Sequence, residues 1–376
     1  MFEKMNPFIL NGYISDEYFC DRAQESKKIT EELTSGNNIA LLSTRRMGKT
    51  GLILHCFNNK DIKKYYYTFF VDIYPTKSLR DFVFIFSKVI FEQLKPFGKK
   101  AIEEFWTVVK SLQTGISFDI SGNPNIYLGL GDIQYPENTL DEIFRYISKS
   151  SKPCLIAIDE FQQIANYPEK NMEALLRSHI QQNKNASFIF AGSRRHSISN
   201  MFLNAARPFY QSVSMMHLGS IDKNEYIRFA QKHFADRKKS ITENTISKIY
   251  DDFEGITWYM QKILHTLFAM TSENEICDIE NISYAVDYII QSNAFSYSEM
   301  LFRLPEKQKE LLIATAKEGK VKNITSSNFV GKYRLKSASS VQAALKGLLD
   351  KDFLTQEKDE IFLYDRFLQK WLKDNY

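Results

Sequence analysis

Three short stretches of the 376-residue chain carry residue types and spacings suited to chemistry on a phosphate. The first is Ser43-Thr44-Arg45-Arg46-Met47-Gly48-Lys49-Thr50, followed by Gly51. The phosphate-binding pattern is GxxxxGK[ST]. In it, backbone N–H groups curl around phosphate oxygens, a lysine meets the outer phosphates and a hydroxyl holds Mg2+. Gly48, Lys49 and Thr50 supply its second half, with Thr50 as the metal-holding hydroxyl. Ser43 stands where the first glycine belongs, so that turn is expected to form without glycine's freedom. The plainer alternative is a strand-to-helix turn containing Gly-Lys-Thr by accident.

The second stretch, Cys154-Leu155-Ile156-Ala157-Ile158-Asp159-Glu160, is an apolar run ending in two carboxylates. Asp159 would hold Mg2+ through water and Glu160 would polarise an attacking water. A solvated acidic strand end is the alternative, but two such motifs in this order are hard to obtain by chance. The third is Phe188-Ile189-Phe190-Ala191-Gly192-Ser193-Arg194-Arg195. There Arg194 would add positive charge against a developing transition state. Its alternative is a strand followed by a basic loop.

These residues need rigid elements to hold them. Asn37 to Leu42 reads as a short buried strand, and the period then changes to an apolar helical run after the Gly-Lys-Thr turn, which is the strand–loop–helix context a phosphate loop requires. Tyr66 to Tyr74 is a second strand, closed by Pro75, and Ser78 to Leu94 an amphipathic helix. Ile116 to Ile133 alternates about Ser-Gly-Asn-Pro-Asn and reads as an inserted hairpin. Leu140 to Ser148 and Met172 to Gln182 read as helices, Pro153 to Ile158 and Ser187 to Ala191 as buried strands. Apolar strands alternating with helices predict a parallel α/β/α three-layer domain. After about Gly219 only helices are expected through residue 295, and Ser296 onward has the order of a helix-turn-helix with a wing. The predicted domains are therefore 1–219, 220–295 and 296–376.

Composition is that of a folded protein: 44% hydrophobic, 25% charged, with 29 Phe and 20 Tyr, which argues against disorder. Net charge is +4, from 49 basic and 45 acidic residues, too balanced to imply nucleic acid by itself. Cys20, Cys56, Cys154 and Cys277 are widely spaced, show no metal-finger pattern and read as reduced, mostly buried thiols. No apolar run suits a signal peptide or a membrane helix, so a cytoplasmic location without a membrane is expected.

With those residues in place, the chain resembles the archaeal-type STAND/AAA+ P-loop ATPases over nearly its whole length. Phe19-Cys20-Asp21-Arg22-Ala23-Gln24-Glu25 is similar to the family's aromatic, Asp-Arg and Glu segment near the base. The double arginine Arg45-Arg46 before Met47-Gly48-Lys49-Thr50 is typical, and some members carry serine at the first loop position. Cys154 to Glu160 resembles Walker B, and Ser193 fits the polar sensor near the γ-phosphate. Arg207-Pro208-Phe209-Tyr210 is similar to a basic-aromatic segment after the sensor strand. Glu254 to Gln261 resembles the lid motif GxPxYxQ, with Thr257 in place of proline, and Leu304 to Tyr364 the winged helix.

The resemblance implies a P-loop ATPase core with helical lid and C-terminal winged helix, binding ATP or ADP with Mg2+ and turning over slowly. Arg22, Arg46, Met47, Gly48, Lys49, Thr50 and Gly51 would hold nucleotide, Thr50 and Asp159 the metal. Glu160, Lys49 and Ser193 would serve catalysis with an arginine from among Arg194, Arg207 and Arg195, in that order: Arg194 is best placed to act in cis, and Arg207 would act in trans if the protein forms rings or dimers. ADP would hold the lid and winged helix against the core and ATP would loosen them, making a switch that acts on a protein partner or on self-association. The alternative is an ATP-regulated DNA-binding protein of initiator type. Ala338 to Leu349 would then enter the major groove, with Ser339, Ser340 and Gln342 toward bases and Lys332, Arg334, Lys336 and Lys346 toward phosphate. Asp352, Glu357, Asp359, Glu360 and Asp365 in the wing oppose that reading.

Overall fold

A computed structural model describes residues 5–94, 107, 109–111, 115–118, 124–127, 130, 133–193 and 195–376. By their contacts they fall into two units: Pro7–Tyr226 with Gly255–Gln261, and residues 5–6 and Ile227–Glu254 with Lys262–Tyr376.

The first unit is built on strands β1 (Ile39–Leu42), β2 (Tyr67–Asp72), β5 (Cys154–Asp159), β6 (Ala186–Gly192) and β7 (Ser214–His217), in the order β2-β5-β6-β1-β7. Every pairing among them is parallel. Successive side chains leave a strand on opposite faces, and both faces are covered. Ile39, Leu41, Leu155, Ala157, Ile189 and Ala191 pack toward helices Ala23–Thr34 and Lys49–Asn58. Ala40, Leu42, Ile156, Ile158, Phe188 and Phe190 join the core with helices Leu79–Gln93, Pro136–Ser148 and Met172–Gln182. Burial on both sides is why these strands read as continuous apolar runs. The connection leaving β1 runs toward β2, whereas those leaving β5 and β6 run the other way. The crevice at the carboxyl ends of β1 and β6 is therefore a switch point, where such sheets bind ligands. The expected hairpin is present as β3 (Gly115–Phe118) paired antiparallel with β4 (Pro124–Tyr127); its Ser-Gly-Asn turn lies outside the described residues.

The second unit holds helices Glu243–Asp252, Glu280–Phe302, Glu306–Glu318, Ser327–Lys332, Ala338–Asp350 and Arg366–Asn375. It also holds a sheet in which β10 (Val321–Lys322) and β11 (Leu354–Glu357) flank β12 (Glu360–Leu363). This helix, helix, helix and hairpin order is a winged helix, and Leu311, Leu312 and Leu345 lie in its core. Two sequence expectations need correction here. The stretch before residue 296 is not purely helical, because β8 (Ser240–Ile241) and β9 (Ile276–Cys277) pair in parallel between left-handed turns at Lys238 and Asn274. One helix, Glu280–Phe302, also runs without a break past residue 295. Lid helices and winged helix share contacts: Phe253 meets Phe367 at 5.6 Å, and Glu254 accepts from Lys320 at 3.0 Å and Arg366 at 3.1 Å. All four cysteines are buried free thiols. Among the described residues, no helix is long and apolar enough to cross a membrane.

Candidate functional site

The loop after β1 closes on two left-handed residues, Arg46 (φ 68°) and Gly48 (φ 85°), and Gly48 caps the helix that begins at Lys49. Ser43 is buried and is not among the residues of positive φ, so serine meets no backbone strain there. The turn places Lys49 and Thr50 in the first turn of a helix, where unpaired N–H groups and the helix dipole favour an anion.

Opposite stands the end of β5. The Thr50 hydroxyl donates to Asp159 Oδ2 at 3.0 Å, and Lys49 Nζ lies 4.0 Å from both Asp159 Oδ1 and Glu160 Oε1. Burial pushes the Asp159 carboxyl above the usual carboxylate range, Glu160 adds to the rise and Lys49 opposes it. Glu160 itself has φ 55°, and Phe161, the next residue, is fully buried. Phe161 is anchored among Phe190, Phe202 and Phe209, with ring centroids 4.5–6.0 Å apart. That cluster fixes where the Glu160 backbone emerges.

The Glu160 carboxylate is held from two sides. Ser193, at the end of β6, donates to Oε2 at 2.9 Å, and Arg45 Nε donates to the same Ser193 hydroxyl at 3.2 Å. Gln162 Nε2 donates to Oε2 as well. Gln162 is buried, and among the described residues its Oε1 has no hydrogen-bond partner. It fills the slot left by Gly192, where a Cβ would come within 2.1 Å of Gln162 Oε1.

A cavity of about 400 Å3 joins these groups. Arg22, Arg46, Met47, Gly48, Lys49, Thr50, Gly51, Asp159 and Glu160 line its polar end, and Ile9, Leu10, Tyr13, Ile14, Phe19 and Ile221 make the other end apolar. Phe19 is held flat against His55, centroids 4.1 Å apart. Arg22 is almost wholly buried and donates to the Met47 carbonyl at 3.2 Å and to Glu25 at 2.8 Å, so it braces the loop. The start of helix Thr257–Met270 closes the cavity. Thr257 Oγ1 donates to the Met47 carbonyl at 3.1 Å, Trp258 N–H donates to the Arg46 carbonyl at 3.0 Å, and the Arg46 guanidinium lies 4.3 Å from the Trp258 ring centroid. Arg46 Nη1 also donates to the Tyr259 hydroxyl at 2.5 Å.

The structure thus brings together Lys49, Thr50, Asp159, Glu160 and Ser193. It does not bring Arg207 to them: Arg207 pairs with Glu173 and does not line the cavity. Arg194 lies outside the described residues. Sequence reasoning missed Arg45, Gln162, Gly192 and Trp258 as parts of the site. The Glu-Phe-Gln spacing was the one available signal, since it returns Gln162 beside Glu160 in a tight turn.

The arrangement is a cation and a hydroxyl at a helix N-terminus, facing two carboxylates across a switch point, which suits a polyphosphate with a divalent cation. No curated protein matches the chain significantly. Solved structures do match. The Walker-type ATPase PABY2304 of Pyrococcus abyssi aligns over 98% of this chain and 99% of its own, at 16% identity and TM-score 0.63. Aeropyrum pernix ORC2, solved as ADPNP–ADP complexes, aligns over 98% and 95% at 14% identity and TM-score 0.54. Aeropyrum pernix ORC1, solved in complex with DNA, aligns over 95% and 93% at 12% identity and TM-score 0.52. At those identities the likeness establishes the fold. Residues 295–374 match the family described as "Probable winged helix domain", and residues 19–263 match the one described as "ATPase domain predominantly from Archaea". The chain belongs to this family of ATPase domains predominantly from Archaea.

Proposed function

We propose that the chain binds ATP with Mg2+ in this cavity, hydrolyses it slowly and uses the nucleotide state as a switch on a protein partner. The observation that carries the reading is Lys49 set between Asp159 and Glu160 with Thr50 on Asp159. The donor set fits the cation, because a hydroxyl and a carboxylate are the hard oxygen ligands Mg2+ takes. When bound, Mg2+ neutralises phosphate charge and lowers the barrier at the outer phosphate. In this reading Lys49 replaces its carboxylate contacts by phosphate oxygens. Thr50 and Asp159 are the residues that would hold the metal. Glu160 orients and accepts a proton from the attacking water. The hydrogen bonds from Ser193 and Gln162 hold the Glu160 carboxylate in place for that water. The apolar end near Tyr13, Ile14 and Phe19 suits a purine base. The completing arginine is Arg194 in cis, or Arg207 in trans after giving up Glu173, with Arg195 third.

Electrostatics supports a protein partner over the DNA reading, although ORC1 of this fold was solved with DNA. Of the four cations expected at phosphate, Lys332 is held by Glu318 at 2.6 Å. Lys322, on β10 beside the wing, sits 3.5 Å from Asp359 and 3.7 Å from Glu360. Arg334, Lys336 and Lys346 are left of the four, a small set for counterion release, and the wing acids oppose them.

The test is calorimetry with ATP and Mg2+. Lys49→Ala is expected to lower affinity by at least about tenfold, or roughly 1.4 kcal/mol, while Glu160→Gln keeps affinity and loses turnover. Equal affinity in Lys49→Ala would remove the nucleotide site, and wild-type turnover in Glu160→Gln would remove the proposed base.

A further inference from the structure

Helix Glu280–Phe302 is apolar on two opposite faces. Ile282, Val286, Ile289, Ile290, Tyr297 and Leu301 are buried. On the other side Tyr284, Tyr288, Phe295 and Phe302 are 69%, 59%, 78% and 84% exposed. A helix that is hydrophobic all round is ordinarily covered all round. Single exposed apolar residues are normal on a protein surface, but four aromatics on one line mark an interaction site.

The spacing says what kind. Residues 284, 288, 291, 295, 298 and 302 advance by alternate steps of four and three, the seam of a helix that pairs with another helix. They read Tyr, Tyr, Gln, Phe, Ser, Phe, and the spacing is the same from either end. A twofold axis beside Asn293 would therefore set 284 against 302, 288 against 298 and 291 against 295. We propose that this face is an interface between two copies of the chain, paired antiparallel along helix Glu280–Phe302.

Three further observations support a second copy. The helix carries Glu280, Asp287 and Glu299 and no lysine or arginine, so phosphate-rich surfaces are repelled. The axis sets Asp287 opposite Glu299, yet Asp287 is held by Lys370 at 3.0 Å and Glu299 by Arg303 at 3.7 Å, which screens that encounter. The area also suffices. Aromatics bury roughly 150–250 Å2 each, so four at these exposures offer on the order of 600 Å2 per copy. Two copies reach about 1,200 Å2, the lower end for a specific interface. A hollow of about 240 Å3, lined by Leu267, Met270, Ile276 and Tyr284, lies beside the start of the seam. The axis delivers Phe302 of the other copy to that hollow, an aromatic anchor filling a pocket.

Sedimentation velocity of the full chain between about 1 and 100 µM, the range in which a weak interface of this size associates, tests the proposal. A concentration-dependent dimer is expected. Phe295→Glu should weaken it by at least about tenfold with unchanged circular dichroism, since that side chain is exposed. Adding Gln291→Lys to Phe295→Glu should tighten the dimer again, because antiparallel pairing sets the new opposite charges across from each other twice. Should Phe295→Glu disturb the fold, Phe302→Ser carries the same expectation. A wild-type monomer at the highest concentration overturns the proposal. So does a folded Phe295→Glu or Phe302→Ser that dimerises as wild type, or a double variant weaker than the single one, which would mean parallel or unrelated packing.

Discussion

Replacing Gln162 by leucine separates the two things its side chain does. Its Nε2 donates to the Glu160 carboxylate, and its Oε1 is buried with no partner among the described residues. A hydrogen bond to a charged group contributes about 1.5–3 kcal/mol, and a buried unsatisfied polar atom costs about 1–3 kcal/mol. Leucine is of similar size and removes both, so stability should stay within about 1 kcal/mol of wild type. Glu160 keeps Ser193 on Oε2 and Lys49 at 4.0 Å from Oε1 but loses one of its two hydrogen bonds on Oε2, so its carboxylate must be reordered in each turnover. A cost of about 1.4 kcal/mol there lowers kcat about tenfold. Gln162 does not line the cavity, so ATP affinity should not change. Gly192→Ala attacks the same slot from behind, because its Cβ would stand 2.1 Å from both Gln162 Oε1 and Ile198 Cδ1. That overpacking should cost about 1–3 kcal/mol and lower kcat too. Urea unfolding and steady-state ATPase measurements on both variants give the two readouts. Wild-type kcat in Gln162→Leu would show that Gln162 does not position Glu160. A stability loss beyond about 3 kcal/mol would show that Oε1 has a partner after all.

The Asp159→Asn change should weaken the Mg2+ dependence of nucleotide binding more than binding without metal, which calorimetry with and without EDTA measures. Arg207→Ala should leave single-chain affinity intact; a fall in ATPase rate that grows with protein concentration supports action in trans, and no change at any concentration refutes it. Glu254→Ala should alter nucleotide exchange while leaving the cavity residues in place, because it frees Lys320 and Arg366 of the winged helix. Stopped-flow release of a fluorescent ADP analogue at the wild-type rate would sink that expectation.

The parts of the fold that were legible are those written in local period. The run Cys154–Asp159 is buried along its whole length, and helix Met172–Gln182 has the bounds its sequence implies. The turn at Ser43 forms without glycine's freedom, as expected, but motif spacing does not tell which loop residues need positive φ; here they are Arg46 and Gly48. The contacts that finish the site join residues far apart in sequence. Arg45 and Ser193 are 148 positions apart, and Arg46 and Tyr259 are 213 apart. No periodicity encodes such pairs, since each partner is an ordinary polar or aromatic residue in its own segment. Strands β8 and β9 escaped for another reason: two residues each are too short to set a pattern.

The path of the chain between residues 254 and 258 bears on how a switch would operate. Trp258 is bonded through its N–H to the Arg46 carbonyl of the phosphate loop and lies under the Arg46 guanidinium. Four residues earlier, Glu254 grips Lys320 and Arg366 in the winged helix. Between them the backbone turns through two left-handed residues, Glu254 at φ 55° and Gly255 at φ 61°. The Arg46 guanidinium lies on the Trp258 ring, so phosphate drawing it away would remove a cation–π contact of about 0.5–2 kcal/mol. An equilibrium moved by that amount changes by about twofold to thirtyfold, within the ordinary range of coupling between sites. Substituting Trp258 alone cannot distinguish this route from simple loss of cavity wall. Arg46→Lys can, since it keeps the charge and loses the planar stacking group: binding should persist while its coupling to the winged helix falls.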